Sequence, residues 1–171
     1  MTDLYVNKFD HNKECALQGQ KAERSFKDIL ISEGHSVREA TRDEQMKHVD
    51  LVTTKDNKVT KYEIKARKKI NRGDDDYQNR LIWVEFINVI GDVGWLYGAA
   101  DKVSFESEKD FIVVDRLKLA AMAESKCNPF KRVNSASEAL YKGYQRKGRK
   151  DIVSLVKESD IREIADRTIN K

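Results

Sequence analysis

Three carboxylates and a lysine occur in an order and spacing that suit metal-assisted hydrolysis. Asp50 lies in one apolar segment, and Glu63 and Lys65 lie in the next one, with Asp50 and Glu63 thirteen positions apart. Two carboxylates brought together repel each other unless a hard cation such as Mg²⁺ lies between them. A lysine beside that cation can stabilise a hydroxide nucleophile or the charge that develops on a phosphate. With Glu23 from a preceding helical segment, these residues form a candidate catalytic set.

Two predicted strands would bring the set together. His48–Val52 and Val59–Ala66 are both rich in β-branched residues and are separated by a polar turn, which is typical of an antiparallel pair. Side chains two apart on a strand share a face, so Glu63 and Lys65 are expected to project together while Ile64 enters the core.

The other predicted elements place these strands in an α/β chain. Residues 14–33 form an amphipathic pattern that Gly34 ends, and Leu81–Ile90 is the strongest strand signal. The remaining predicted elements are a short extended piece at Val37, a polar loop over Arg67–Gln78, strands at Trp95–Tyr97, Lys102–Phe105, Phe111–Val114 and Ile152–Val156, a helix over Arg116–Ala123, and a helix capped by Ser159-Asp160. We expect one domain over residues 1–171 with a mixed central β-sheet flanked by helices, an N-terminal extension over 1–13 and a basic loop over 131–150.

Each candidate also has a structural interpretation. Glu63 and Lys65 could be an exposed ion pair, Asp50 could bond turn amides, and Glu23 could be solvated. His48 would share the face of Asp50, as a proton shuttle, a phosphate contact or a structural residue. Glu85 is a carboxylate inside an apolar strand, where a charge is costly unless paired, so it is either a further ligand or a partner for a lysine.

Basic residues are concentrated in two segments of the sequence. Six lie between Lys61 and Arg72 against Glu63 alone, and seven lie between Lys131 and Lys150 against Glu138 alone. Such clusters are typical of phosphate-binding surfaces, although a solvated face is the other interpretation. The candidate nucleic-acid contacts are Arg24, His48, Arg67, Lys68, Lys69, Arg146, Lys147, Arg149 and Lys150, with Tyr141 and Tyr144 placed to stack on bases.

Composition limits the classes of protein that the chain can belong to. Hydrophobic residues make up 39% of the 171 residues and charged residues 36%, and the sequence lacks an apolar run long enough to cross a membrane. The N-terminal segment lacks the apolar core of a signal peptide, so we expect a cytoplasmic protein. Cys15 and Cys127 are isolated, which argues against a disulfide framework and a zinc site of the Cys-x-x-Cys kind.

The order of these residues resembles the PD-(D/E)XK nuclease superfamily, which has the restriction-endonuclease-like fold. The segments that carry the resemblance are 18–24, which contains Glu23, and 62–68, which contains Glu63-Ile64-Lys65; they are most similar to archaeal Holliday-junction resolvases, and later segments are similar to phage-encoded nucleases. Val49 stands where the motif's name has proline, a position at which the superfamily often departs from its name.

This resemblance implies a Mg²⁺-dependent endonuclease, with Mn²⁺ as a substitute, that hydrolyses DNA and needs no nucleotide cofactor. It implies that Asp50, Glu63 and the Ile64 carbonyl bind the metal. It implies that Lys65 orients or activates the water, and that Glu23 acts at the metal directly or through a water.

Structure-specific cleavage, as at a branched junction, follows from the same analogy and would call for a homodimer. One alternative is a nucleic-acid-binding protein that retains the fold without cleaving. Another is a subunit or effector aimed at a protein, with its charge serving solubility.

Overall fold

A computed structural model describes residues 14–71 and 73–171, so the predicted N-terminal extension and Arg72 lie outside the described residues. Within them the helices are α1 Glu14–Ser32, α2 Arg42–Met46, α3 Arg116–Lys126 and α4 Glu158–Ile164, with 3₁₀ turns at Trp95–Tyr97 and Ala136–Glu138. The strands are β1 Ser36–Glu39, β2 Leu51–Lys55, β3 Lys58–Lys65, β4 Leu81–Ile87, β5 Lys102–Glu106, β6 Asp110–Asp115, β7 Asn128–Val133, β8 Lys142–Tyr144, β9 Ile152–Lys157 and β10 Arg167–Asn170.

The first sheet has six strands in the order β1-β2-β3-β5-β6-β10. Its first three strands form an antiparallel meander, and β3 then pairs in parallel with β5, with Glu63 opposite Val103 and Lys65 opposite Phe105. Antiparallel pairing continues from β5 to β6 and from β6 to β10. The strand that carries Glu63 and Lys65 therefore lies inside the sheet rather than at its edge.

The second sheet has four strands in the order β4-β9-β8-β7. Strand β9 pairs antiparallel with both β4 and β8, while β8 and β7 run parallel. Strand β7 is one edge of this sheet and β4 is the other.

Two apolar clusters cover the two faces of the first sheet. Helix α1 buries Ala22, Phe26 and Leu30 against one face, where its partners include Tyr62 and Ile64. On the other face the first sheet packs against the second sheet, α3 and α4, with these buried residues among others: Val84, Phe86, Trp95, Leu96, Val103, Phe105, Ile112, Val114, Leu119, Val156 and Ile161. Because Tyr62 and Ile64 point to α1, the alternating Glu63 and Lys65 point toward the second sheet.

The expected α/β class is confirmed, with the strands divided between two mixed sheets. The prediction of a basic loop over 131–150 is wrong in part, because this segment contains the end of β7, the second 3₁₀ turn and β8. Four of the six residues of β7 are exposed and none is fully buried, so the hydrophobic alternation that reveals a strand is absent from its sequence.

Several boundaries also differ from the sequence predictions. Strand β2 begins at Leu51 rather than His48, β4 ends at Ile87, and Trp95–Tyr97 forms a 3₁₀ turn instead of a strand. Helix α2 and strand β10 are additional elements. No helix in the described ranges is long and apolar enough to span a membrane.

Candidate active site

Strand β3 presents the side chains of Glu63 and Lys65 together, as their spacing predicts. The Lys65 Nζ atom donates a hydrogen bond to Oε1 of Glu63. Glu63 is only 5% exposed, so this pair is not the exposed ion pair that was the alternative interpretation. Ile64, between them, is buried against α1.

Asp50 lies in the connection between α2 and β2, and its carboxylate approaches strand β3 near Glu63 and Lys65. Thr41 caps α2 through a capping box with Glu44, and the chain leaves this helix through His48, which has a left-handed φ of 61°. The Asp50 amide donates to the Tyr62 carbonyl at 2.8 Å, and the Asp50 Oδ2 atom accepts from the Ile64 amide at 2.7 Å. The Asp50 carboxylate therefore lies beside the strand that carries Glu63.

Burial and mutual repulsion raise the pKa of two carboxyl groups in this cluster, Glu23 and Asp50. The pKa of Glu23 is raised to about 7, because burial disfavours its charged form and the charge of Glu63 repels it, with Lys65 acting in the opposite direction. The pKa of Asp50 is raised well above its ordinary value by burial first, and then by the charges of Glu63 and Glu23. Glu23 on α1 is therefore part of the same electrostatic cluster and not a solvated helical residue.

Lys65 is the positive group inside this cluster. Burial lowers the pKa of Lys65, but the negative charges of Glu63, Asp50 and Glu85 outweigh it and leave the pKa above its ordinary value. The Nζ atom also lies 5.1 Å from the centroid of the Trp95 ring, within reach of a cation–π contact. The ammonium group is thus charged and held by groups from both sheets.

The second sheet contributes a fourth carboxylate, Glu85, to the cluster. Burial raises the pKa of Glu85, while Lys65, His48, the Trp95 amide hydrogen bond and Arg146 lower it. His48 and Arg146 are two of the predicted nucleic-acid contacts, and both interact electrostatically with the acidic cluster through Glu85. Burial is the largest of these influences, and it leaves the pKa of this carboxyl in the apolar strand β4 above its ordinary value.

Gly94 leaves no room for a side chain beside Glu85. A β-carbon on Gly94 would lie 2.2 Å from the Glu85 carbonyl oxygen and 2.9 Å from its Cγ atom. We expect Gly94→Ala to lower the free energy of unfolding by about 1–3 kcal/mol, the usual cost of overpacking. Urea denaturation measures this change.

Gly19→Ala is the matched control, because a β-carbon at Gly19 in α1 meets no atom within 4 Å. Alanine in a helix interior is expected to leave stability unchanged or raise it by up to about 1 kcal/mol. Equal stability of Gly94→Ala and wild type would contradict the close packing against Glu85.

His48 is not on a strand, contrary to its expected alternation with Asp50. It lies ahead of β2, and its Nε2 atom is 3.3 Å from the Val93 carbonyl oxygen. A β-carbon on Gly98 would lie 2.7 Å from the Cβ atom of His48, so this connection is packed closely. His48 is therefore fixed near Glu85 by backbone contacts rather than by strand periodicity.

The other predicted nucleic-acid contacts lie on several elements around the cluster. The Arg67 guanidinium and the Lys69 ammonium lie 5.7 Å and 5.3 Å from the Tyr77 ring centroid, and the Arg67 Nε atom is buried without a hydrogen-bond partner in the described ranges. Arg146 pairs with Asp151, which is fully buried. The exposed or half-exposed residues that complete the predicted set are Arg24, Lys68, Lys147, Arg149 and Lys150.

The oxygen donors present suit a hard divalent cation such as Mg²⁺. Asp50 and Glu63 supply carboxylates, and the Ile64 carbonyl points to the same side of β3 as its amide, which is the side of Asp50. Within 14–71 and 73–171, no three His, Cys, Asp or Glu side chains form a group that could hold a metal. A metal here would depend on two carboxylates, one carbonyl and water, a composition usual for Mg²⁺.

The fold and the cluster define an α/β protein with a buried carboxylate–lysine site between two mixed sheets. Comparisons with protein-family models, with curated proteins and with solved structures give no match for this chain. The site itself is therefore the basis for proposing a function.

Sequence reasoning missed some members of the site. The sequence predicts Trp95 only as the start of a strand, but its ring centroid lies 5.1 Å from the Lys65 Nζ atom and its amide donates a hydrogen bond to Glu85. The sequence leaves two roles open for Glu85, and the signal that marks this residue is a charge within an apolar strand. For the pairing of Arg146 with Asp151, the sequence offers only a spacing of five residues, which predicts no contact by itself.

Proposed function

We propose that this protein is a Mg²⁺-dependent endonuclease of the PD-(D/E)XK kind that hydrolyses DNA phosphodiester bonds. The observation that carries the proposal is the placement of Lys65, bonded to Glu63 and close to Asp50 and Glu85 in one buried cluster. Perturbed carboxylates grouped around a charged lysine are typical of catalytic sites. A structural ion pair needs one carboxylate for one lysine, and this cluster holds four.

Each residue has a role that follows from its position. Asp50, Glu63 and the Ile64 carbonyl would hold the metal, which supplies a coordinated water of lowered pKa and polarises the phosphate. Lys65 orients the attacking water and stabilises the negative charge that develops on the phosphate oxygens. Glu23, with a pKa of about 7, is able to accept or release a proton near neutral pH.

Basic residues around the cluster support DNA as the substrate. Arg146 and His48 act on Glu85 at one side of the cluster, and Arg67, Lys68 and Lys69 directly follow the catalytic strand β3. These cations would bind phosphates and carry no base sequence information, so we propose recognition of backbone and shape.

Finer proposals follow from the resemblance of the motifs. A branched DNA junction would be the preferred substrate, cut by a homodimer because two strands must be cleaved. The protein would act in the cytoplasm of a bacterial or archaeal cell or of a virus-infected host cell, and Mn²⁺ would replace Mg²⁺.

A nicking assay tests the proposal. Supercoiled plasmid and a four-way DNA junction are incubated with the protein in Mg²⁺, in Mn²⁺ and in EDTA. We expect cleavage with either metal and none in EDTA, because the carboxylates alone supply no nucleophile.

The same samples separate the two alternatives. Salt-sensitive DNA binding without cleavage in any metal would indicate a non-cleaving binding protein that retains the fold. Absence of both cleavage and binding would favour an effector aimed at another protein.

A further inference from the structure

Strand β7 bulges outward at the edge of the second sheet. Asn128 pairs with Lys142, and Arg132 pairs with Gly143, the next residue of β8. Three residues of β7 therefore separate two paired positions whose partners are consecutive on β8. These three residues, 129–131, form what we call the β7 bulge. Its middle residue is Phe130.

The backbone on both sides of Phe130 is held in place. The Asn128 amide donates to the Tyr141 carbonyl at 2.9 Å, and the Asn128 Oδ1 atom accepts from the Phe130 amide at 3.2 Å. A β-carbon on Gly143 would lie 2.0 Å from the Pro129 carbonyl oxygen, so the bulge rests directly on β8. Pro129 also fixes its own φ angle.

This support leaves the Phe130 ring in solvent. The residue is 86% exposed, more than any other large hydrophobic residue among those described. A backbone that is already held in place loses little conformational freedom when a flat ligand stacks on the ring it carries, which favours binding.

Basic residues are adjacent to Phe130 along β7 and lie on the neighbouring strand β8. Lys131 and Arg132 follow Phe130 and are exposed, and Lys142 lies opposite Asn128 on β8. The sequence from 129 to 137 contains no carboxylate. A hydrophobic partner protein would gain nothing from these charges, whereas a nucleic acid combines flat bases with phosphates.

We infer that Phe130 is a stacking platform for an unpaired nucleobase, with Lys131 and Arg132 contacting the flanking phosphates. The inference rests on the proposed function only in taking nucleic acid as the ligand, and it adds the preference for unpaired or unstacked bases. Such bases occur in single strands and at branch points, and paired bases inside a duplex do not offer a free face.

Binding measured in EDTA tests the inference without cleavage. Fluorescence anisotropy compares a labelled oligothymidylate with a blunt duplex of equal length for wild type, Phe130→Ala and Phe130→Trp. Loss of one stacked base is expected to weaken binding of Phe130→Ala to the single strand by about 5- to 150-fold. Binding to the duplex should change much less, and Phe130→Trp should bind the single strand as wild type does.

Leu117→Ala is the matched control. Leu117 is 68% exposed and lies between Arg116 and Lys118, so it is also an exposed apolar side chain between cations, but it lies in helix α3. We expect Leu117→Ala to bind both DNAs as wild type does. Circular dichroism confirms that each variant is folded.

The possible outcomes separate this inference from the proposed function. If wild type binds neither DNA, the proposed function fails and the inference with it. If wild type binds and Phe130→Ala binds the single strand equally well, the inference alone is overturned. If Phe130→Ala changes only self-association in sedimentation, the β7 bulge is an interface between copies of the chain, which also overturns the inference.

Discussion

Replacing Lys65 with methionine is expected to slow DNA cleavage by about 10²–10³-fold, the effect of removing one preorganised group that stabilises a developing negative charge. The Lys65 ammonium donates a hydrogen bond to Glu63 and interacts electrostatically with Asp50 and Glu85. Without it, these three carboxylates lose the cation that lies among them. DNA binding in EDTA should stay close to that of wild type, because the exposed basic residues remain. Single-turnover cleavage of a labelled junction measures the rate, and anisotropy measures the binding.

Lys65→Met leaves the carboxylates without their cation, so loss of activity could reflect loss of folding. Lys65→Arg keeps the positive charge and is expected to fold, but its planar guanidinium does not reproduce a compact ammonium, and cleavage should remain impaired. Lys58→Met is the control, since Lys58 is an exposed lysine at the opposite end of β3. Cleavage by folded Lys65→Met or Lys65→Arg at the wild-type rate would contradict a catalytic role for Lys65.

The elements in the first half of the chain can be predicted from the sequence because their hydrophobic patterns are local. Helix α1 buries Ala22, Phe26 and Leu30 on one stripe at helical spacing, and β3 alternates between Tyr62 and Ile64 on one face and Glu63 and Lys65 on the other. Each element therefore shows its buried face in its own sequence.

The elements that were missed depend on distant partners. Strand β10 has four residues and exists through pairing with β6, where Ile169 lies opposite Phe111. Helix α2 has no buried residue, and its only local signal is the capping box of Thr41 and Glu44. Patterns of hydrophobicity do not detect elements of these kinds.

Some residues of the site are likewise predictable from local spacing, and others depend on distant partners. Asp50 directly precedes β2, and Glu63 and Lys65 lie on β3, which a short turn joins to β2, so their spacing predicted that they meet. Glu85 comes close to Lys65, and Arg146 to Glu85, only because the second sheet packs on the first, and spacing along the chain does not reveal which sheet a strand joins. The electrostatic surroundings of Lys65 are therefore a property of tertiary structure.

Asp50→Asn is expected to change how stability depends on pH and on metal. In the folded protein the pKa of Asp50 lies well above its ordinary value and that of Glu23 is about 7, against an ordinary 4.5. The folded state therefore holds protons that the unfolded state has released, so these two groups lower the free energy of unfolding as the pH rises from about 4, where the unfolded carboxyls ionise, to about 7, where Glu23 ionises in the folded state. The introduced amide side chain would be neutral and could still accept the Ile64 amide, so the variant should be more stable than wild type at pH 8 without metal, and the difference should shrink as the pH falls toward about 4.

His35 acts in the opposite direction, because burial lowers its pKa and its contribution to stability rises over part of this range. Comparing wild type with Asp50→Asn removes this effect, since His35 is present in both. Asp28→Asn, which changes an exposed aspartate of α1, is the control for a loss of charge alone.

Metal should reverse the order of stability. Mg²⁺ binds deprotonated carboxylates, so it should raise the melting temperature of wild type more at pH 8 than at pH 5. At a concentration one hundred times its dissociation constant, the stabilisation is about 2.7 kcal/mol. Asp50→Asn should lose most of this gain, whereas Asp28→Asn should keep it. Thermal denaturation with and without Mg²⁺ needs no substrate, and an equal gain for wild type and Asp50→Asn would contradict Asp50 as a ligand even if the protein cleaves DNA.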